Sequence, residues 1–150
     1  MRGRFFEDYK AGEVIRSGGI TLTESAIIDF AWQYDPQPFH LDTLAAAETM
    51  YGGLIASGWQ IMLLGFRLMV QEGMPGQNSL GSPGVDEVRF HLPTRPGDTI
   101  SGVAEIMEVR ASATRPDRGL LRVKFRMENQ KGETVVSFLG TQFVRRRQPA

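Results

Sequence analysis

The fold of this 150-residue chain is decided by the stretch LIASGWQIMLLGFRLMV, which occupies residues 54–70. The second half of this stretch is apolar at nearly every position, and a helix of that composition is buried on all sides in a soluble protein. Ser57 suits the N-cap position, and Gly73 follows where the helix has to end. We therefore predict a long central helix that other elements surround.

The region after this helix has the alternation of long strands. The clearest candidate is residues 120–129, in which Leu121, Val123 and Phe125 alternate with charged residues. This pattern is typical of an antiparallel strand with one buried face. The predicted strands are residues 84–92, 99–110, 120–129 and 134–144. One buried helix followed by these strands predicts an α+β fold with a sheet wrapped around the helix, although the periodicity alone does not choose among α+β folds.

The region before the central helix contains shorter elements. Residues 14–22 can form a first strand, and Thr23 can cap a helix that ends near Tyr34, because Asp35 precedes a proline and is pushed out of the helical region. The two prolines that follow predict an extended turn. A short helix over residues 43–49 comes next, with Asp42 as its cap.

Composition narrows the classes of function. The length fits one domain spanning residues 1–150, and the 41% of hydrophobic residues is enough for a core. Lys plus Arg and Asp plus Glu number 17 each, and this balance argues against a duplex-binding protein. The chain has no cysteine, so thiolate nucleophiles and cysteine zinc sites are excluded. The N-terminus lacks an apolar signal core and residues 59–70 are too short to span a bilayer, so we expect a cytoplasmic protein without a membrane segment.

Histidine chemistry has two candidates, because the chain contains only His40 and His91. His91 lies at the end of a predicted strand, and the simplest interpretation gives it no chemical role. His40 lies five residues after Asp35, in a segment that two prolines stiffen. Taken alone, His40 would be interpreted as a loop residue that holds a turn through hydrogen bonds. A carboxylate and an imidazole that hold one water molecule can also move its protons, and a resemblance of the surrounding residues favours this second interpretation.

The segment Asp35-Pro36-Gln37-Pro38-Phe39-His40-Leu41-Asp42 resembles the hydratase motif of the MaoC-like family, which includes the (R)-specific enoyl-CoA hydratases. The family pattern is Asp, any residue, Asn, Pro, any residue, His, any residue, Asp, and Gln37 stands here in place of Asn. Residues 53–59 resemble the start of the family's central helix, with Ser57-Gly58 where His-Gly is usual. The resemblance covers most of the chain and implies a hotdog fold.

The resemblance also implies roles for these residues. Asp35 and His40 would move the protons of a water molecule that is added to a 2-enoyl-CoA or removed from a 3-hydroxyacyl-CoA. The Gly58 N–H, at a helix N-terminus, would bind the thioester carbonyl. Gln37 and Ser57 would lie beside this substrate site, although Ser57 as a helix cap is the simpler interpretation. Asp42 matches the motif but is better explained as a cap.

The sequence also allows predictions about metal ions, coenzyme A and phosphate binding. No metal cluster is visible, and coenzyme A would enter only as part of an acyl-CoA substrate rather than as a separate cofactor. Arginines suit phosphate groups, yet most are simply surface charges, as is the tail from Arg145 to Arg147. The candidates are Arg89, Arg95, Arg110, Arg115 and Arg118. Bulky residues that could shape an acyl tunnel, although each is more easily explained as core, are Trp32, Phe39, Tyr51, Trp59 and Phe66.

Two other functions stay open at this point. A hotdog thioesterase would use a carboxylate near the same helix and release a free thiol. A non-catalytic paralogue would bind acyl thioesters without turnover, and the departures at Gln37 and Ser57 allow that. Because one hotdog protomer leaves a sheet edge open, we also expect a homodimer or a higher homo-oligomer.

Overall fold

The computed structural model describes residues 3–148 and contains five strands and four α-helices within that range. A short 3-10 turn at Phe6–Asp8 precedes them. The elements in chain order are β1 (Val14–Thr21), α1 (Glu24–Tyr34), α2 (Pro38–Leu41), α3 (Thr43–Ala47), α4 (Gly58–Gln71), β2 (Val85–Phe90), β3 (Thr99–Ala111), β4 (Arg118–Glu128) and β5 (Thr134–Arg145).

The five strands form one sheet in the order β1-β3-β4-β5-β2, and every neighbouring pair is antiparallel. Burial alternates along the whole of β4, as the sequence predicts, and the core side includes the fully buried Phe125. The four predicted strands after the helix are all present, each within two residues of its predicted ends.

Helix α4 packs closely on the sheet. A methyl group on Gly65 would collide with the side chain of Met127, and one on Gly102 would lie 2.8 Å from the sulfur of Met69. Small residues at these contacts let the helix and the strands approach each other. The prediction of an α+β hotdog fold, with an antiparallel sheet around a central helix, is confirmed.

The boundaries of α1 are also those that the sequence predicts. The Thr23 hydroxyl accepts a hydrogen bond from the Ala26 N–H at 3.1 Å, which satisfies one free donor of the first turn. The helix ends at Tyr34, directly before the Asp35-Pro36 pair.

Two expectations about local structure are wrong. The segment after Pro36 is not wholly extended, because Pro38 begins the single helical turn α2; proline at the first position of a helix loses no hydrogen bond there. Helix α4 is not buried on all sides in one chain either. Its residues Trp59, Leu63 and Val70 are 55%, 56% and 44% exposed, because the sheet covers only one side of the helix. Among residues 3–148, no helix is long and apolar enough to cross a membrane.

Candidate active site

The segment between α1 and α4 brings Asp35 and His40 together. The Asp35 Oδ2 lies 3.3 Å from the His40 Nε2, and the two side chains are 14% and 6% exposed. Asp35 follows the last turn of α1, and α2 turns the chain back so that His40 faces it. The two residues that the sequence selects as a pair are therefore in contact.

The orientation of the His40 ring is set by the backbone. Its Nδ1 lies 2.7 Å from the carbonyl oxygen of Ile55. A carbonyl can only accept a hydrogen bond, so Nδ1 carries the hydrogen. The ring nitrogen that is free of this backbone bond is therefore Nε2, which faces the carboxylate of Asp35.

The Asp35 carboxylate is held in place by two further side chains. The Ser57 hydroxyl donates to Oδ2 and the Gln37 amide donates to Oδ1, each at 2.7 Å. Partial burial raises the pKa of Asp35, but these two hydrogen bonds and the nearby His40 outweigh that effect, so the pKa is lowered from its ordinary value. Asp35 is therefore a carboxylate at neutral pH.

Ser57 contributes differently from the sequence prediction. It occupies the N-cap position of α4, as predicted, but its side chain makes no capping hydrogen bond. The hydroxyl reaches instead to Asp35, 22 positions earlier, and the residue is fully buried. The cap interpretation is correct for the position of Ser57 and wrong for its side chain.

Gly58 is the first residue of α4 and lines the same cavity as Asp35 and His40. The first N–H groups of a helix have no partner within the helix, and they carry the positive end of its dipole. The space beside Gly58 is occupied by a ring, since an added Cβ would lie 2.5 Å from Phe90. The absence of a side chain at this position thus keeps the helix N-terminus and the Phe90 ring in close contact.

The cavity at this site has a volume of about 350 Å³. Its inner wall is buried, with His40, Ile61 and Val136 each no more than 5% exposed. Its outer wall is open, since Trp59 and Phe90 are 55% and 52% exposed. The cavity therefore has a closed polar end at Asp35 and His40 and an aromatic mouth.

The structure adds to the cavity two polar residues to which the sequence analysis gave no role. His91 follows β2, and its Nε2 lies 2.7 Å from the Ser137 hydroxyl. Thr94 is 2% exposed, and its hydroxyl has no hydrogen-bond partner within residues 3–148. No local pattern indicates either position, because only the path of the chain after an edge strand brings residues 91–94 alongside the cavity.

A model of the family described as MaoC like domain matches residues 8–124. The chain belongs to the MaoC-like family. The crystal structure of a MaoC-like dehydratase from Rhodospirillum rubrum is similar, with a TM-score of 0.91 and 36% identity over 98% of this chain and 100% of that one. The uncharacterised protein YdeM of Bacillus subtilis is 27% identical over 83% of this chain and 87% of its own length.

A third relative is longer than this chain. The mesaconyl-CoA hydratase of Haloarcula marismortui is 26% identical over 99% of this chain, which spans 42% of that protein.

The two departures from the MaoC-like motif, Gln37 and Ser57, are the residues that donate hydrogen bonds to Asp35. Both side chains thus hold the Asp35 carboxylate in place.

The remaining candidates lie elsewhere. Asp42 caps α3, since its Oδ1 accepts from the N–H groups of Leu44 and Ala45 at 2.9 and 3.0 Å. None of the five candidate arginines lines the cavity. In the tail, Arg146 and Arg147 form ion pairs with Glu7 and Asp8.

The bulky candidates divide into three groups. Phe39, Tyr51 and Trp59 line the cavity. Phe66 packs edge-on against Phe125, with ring centroids 5.9 Å apart, which confirms its place in the core. Trp32 is 76% exposed, so the core interpretation of this residue is wrong.

Proposed function

We propose that this chain is an acyl-thioester hydratase or dehydratase, which adds water to a 2-enoyl-CoA or removes it from a 3-hydroxyacyl-CoA. The observation that carries the proposal is the contact of the Asp35 carboxylate with the His40 Nε2 in the wall of a cavity that also reaches Gly58. Membership of the MaoC-like family and the similarity to a mesaconyl-CoA hydratase support the same chemistry.

In the proposed reaction, a water molecule is bound beside the Asp35–His40 pair, within hydrogen-bonding reach of both side chains. The pair takes one proton from this water as its oxygen bonds to C3 of the enoyl group. The C2–C3 π electrons move onto C2 and the thioester oxygen, and the pair then returns the proton to C2. The Ser57 and Gln37 hydrogen bonds keep Asp35 ionised, so that it can accept a proton at neutral pH.

The thioester carbonyl is proposed to accept a hydrogen bond from the Gly58 N–H. Negative charge develops on this oxygen as the C2–C3 bond is polarised, and the unpaired donors at the N-terminus of α4 stabilise it. No separate cofactor is required by this scheme, because coenzyme A is part of the substrate.

The test uses crotonyl-CoA and a panel of longer and branched enoyl-CoAs, with loss of the enoyl absorbance as the readout. We expect Asp35→Asn and His40→Ala each to lower kcat by about 10²–10⁴-fold, the range of general acid–base catalysis. Unchanged activity in either variant would contradict the assignment.

A thiol reagent in parallel assays detects free coenzyme A, which a thioesterase releases and a hydratase does not. Tight binding without turnover across the panel would indicate a non-catalytic protein.

We also propose that two copies of the chain associate. Strand β2 is an edge of the sheet, and exposed apolar side chains lie on it and on α4, including Val85 and Leu63. An unpaired strand edge and exposed apolar surface both favour association. Light scattering at working concentration tests this, and a monomer would contradict it.

A further inference from the structure

The mouth of the cavity contains an imidazole that the proposed chemistry does not use. His91 lines the cavity and is exposed, as are the lining residues Trp59 and Phe90, whereas His40 is buried. Its backbone N–H donates to the carbonyl of Val135 at 2.8 Å, so the base of the side chain is fixed to the sheet.

The His91 ring is also fixed, at one of its two nitrogens. Nε2 lies 2.7 Å from the hydroxyl of Ser137, a residue that is only 8% exposed. Among residues 3–148, Nδ1 has no hydrogen-bond partner. One nitrogen thus anchors the ring and the other is available to a ligand.

The contact with Ser137 does not fix whether Nδ1 of His91 is a hydrogen-bond donor or an acceptor. A hydroxyl can donate or accept, so Ser137 can pair with either tautomer of His91. Nδ1 can therefore present an N–H or a lone pair. His40 differs, because the Ile55 carbonyl accepts from its Nδ1 and permits one arrangement only.

We propose that His91 binds an amide group of the carrier arm of the thioester, through Nδ1, at the mouth of the cavity. This inference rests on the proposed function for the position of the acyl group, which directs the carrier arm outward past Trp59, Phe90 and His91. The carrier arm of coenzyme A and of acyl carrier protein contains amides, each with one donor and one acceptor, and Nδ1 can satisfy either.

The first experiment compares crotonyl thioesters that share the acyl group and differ in the arm: crotonyl-CoA, crotonyl-pantetheine and S-ethyl thiocrotonate, which has no amide. We expect His91→Leu to raise KM for the first two about tenfold, the size of one hydrogen bond, with kcat unchanged. The ethyl thioester should be turned over equally by both proteins. Equal losses on all three thioesters, or a loss in kcat, would overturn the proposal.

Two conservative variants separate the two nitrogens. The amide of His91→Asn reaches the position of Nδ1, so this variant should keep most of the wild-type KM. The longer side chain of His91→Gln reaches the position of Nε2 and can bond only Ser137, so its KM should match that of His91→Leu. The reverse order would contradict the assignment of Nδ1 to the arm.

The second experiment does not depend on turnover. Calorimetric titration with butyryl-CoA, which cannot be hydrated, should show about tenfold weaker binding for His91→Leu than for wild type. If wild type binds butyryl-CoA in this way but hydrates no enoyl-CoA, the proposed function fails and the role of His91 stands. If wild type hydrates crotonyl-CoA and His91→Leu binds butyryl-CoA equally well, only the role of His91 fails. Absence of butyryl-CoA binding by wild type would overturn the His91 proposal.

Discussion

The loop region between α1 and α4 and the strand pair β4–β5 are stabilised in opposite ways. A few directed hydrogen bonds fix the conformation of the loop region, such as those that Ser57 and Gln37 donate to Asp35. The strand pair has a continuous backbone ladder and a core face of apolar residues that includes Phe125 and Phe138. Polar contacts in the first region place chemical groups, whereas burial in the second supplies free energy of folding. Substitutions in the two regions should therefore affect different measurements.

The largest effect is expected in the strand pair. Phe125 is fully buried and stacks on Phe138 with ring centroids 4.9 Å apart. Phe125→Ala should lower the free energy of unfolding by about 3–5 kcal/mol, measured by urea denaturation, because it leaves a large cavity. Phe125→Leu is the control and should lose less. Both variants should keep their activity per folded molecule, and a stable but inactive Phe125→Ala would break the comparison.

The next effect is expected in the loop region. Ser57→Ala removes a hydrogen bond to a carboxylate, which contributes about 1.5–3 kcal/mol, so kcat/KM for hydration should fall by about ten- to a hundredfold. That hydrogen bond favours the ionised form of Asp35 and lowers its pKa. Without it the pKa rises, and the acid limb of the pH–rate profile should move to higher pH.

A matched control for Ser57→Ala is Thr23→Ala, which removes a hydroxyl that caps α1 and does not contact Asp35. This control should lower stability by about 1 kcal/mol and leave the acid limb in place. An acid limb that stays in place in Ser57→Ala would show that the hydroxyl does not tune Asp35.

Substitutions of Asp42 test whether every residue of the motif takes part in the reaction. Asp42→Ala should lower the free energy of unfolding by about 1 kcal/mol, because two N–H groups of α3 lose their acceptor, and should change kcat/KM less than about twofold. Asp42→Asn keeps an oxygen at the cap and should be close to wild type in thermal denaturation and assay. A large loss of kcat in Asp42→Asn would show that Asp42 takes part in catalysis.

The smallest effect is expected at Gln37, whose side chain is exposed while its amide bonds Asp35 Oδ1. Water can replace part of this contact, so Gln37→Ala should cost about 0.5–1 kcal/mol in kcat/KM. The acid limb should shift in the same direction as in Ser57→Ala and by less. Gln37→Asn, which restores the usual motif residue, is the control. A larger shift for Gln37→Ala than for Ser57→Ala would reverse the order of the two contacts.

The same contrast explains which features the sequence predicts. Burial alternation in β4 and the caps at Thr23 and Asp42 depend on residues close together in the chain, and all three predictions are confirmed. Helix α4 begins after Ser57, as predicted. These features follow from local periodicity and local hydrogen bonding.

The features that could not be predicted depend on distant residues. The Ser57 hydroxyl bonds Asp35, 22 positions away, and nothing near Ser57 indicates that partner. The exposed side of α4, which includes Leu63, is also hidden from sequence, since its apolar composition does not show which side meets the sheet. The approach of His91 to the cavity depends on the sheet order, with β2 beside β5. The assignment of the whole chain to one domain stays a prediction, as do the cytoplasmic location and the absence of a separate cofactor.

The short segment from Ile55 to Gly58 has one more consequence. Its ends contact different parts of the proposed reaction, since the Ile55 carbonyl orients His40 and the Gly58 N–H is assigned to the substrate carbonyl. The Ile55 N–H donates to the carbonyl of Phe39 and the Ala56 N–H donates to the carbonyl of Thr94, which fixes this part of the segment, and three residues can span at most about 10 Å. The segment therefore fixes the distance between His40 and the position proposed for the substrate carbonyl, beside the Gly58 N–H. In the proposed reaction, this fixed spacing matches a substrate whose reacting carbon lies two bonds from the carbonyl carbon, as C3 does in a 2-enoyl thioester.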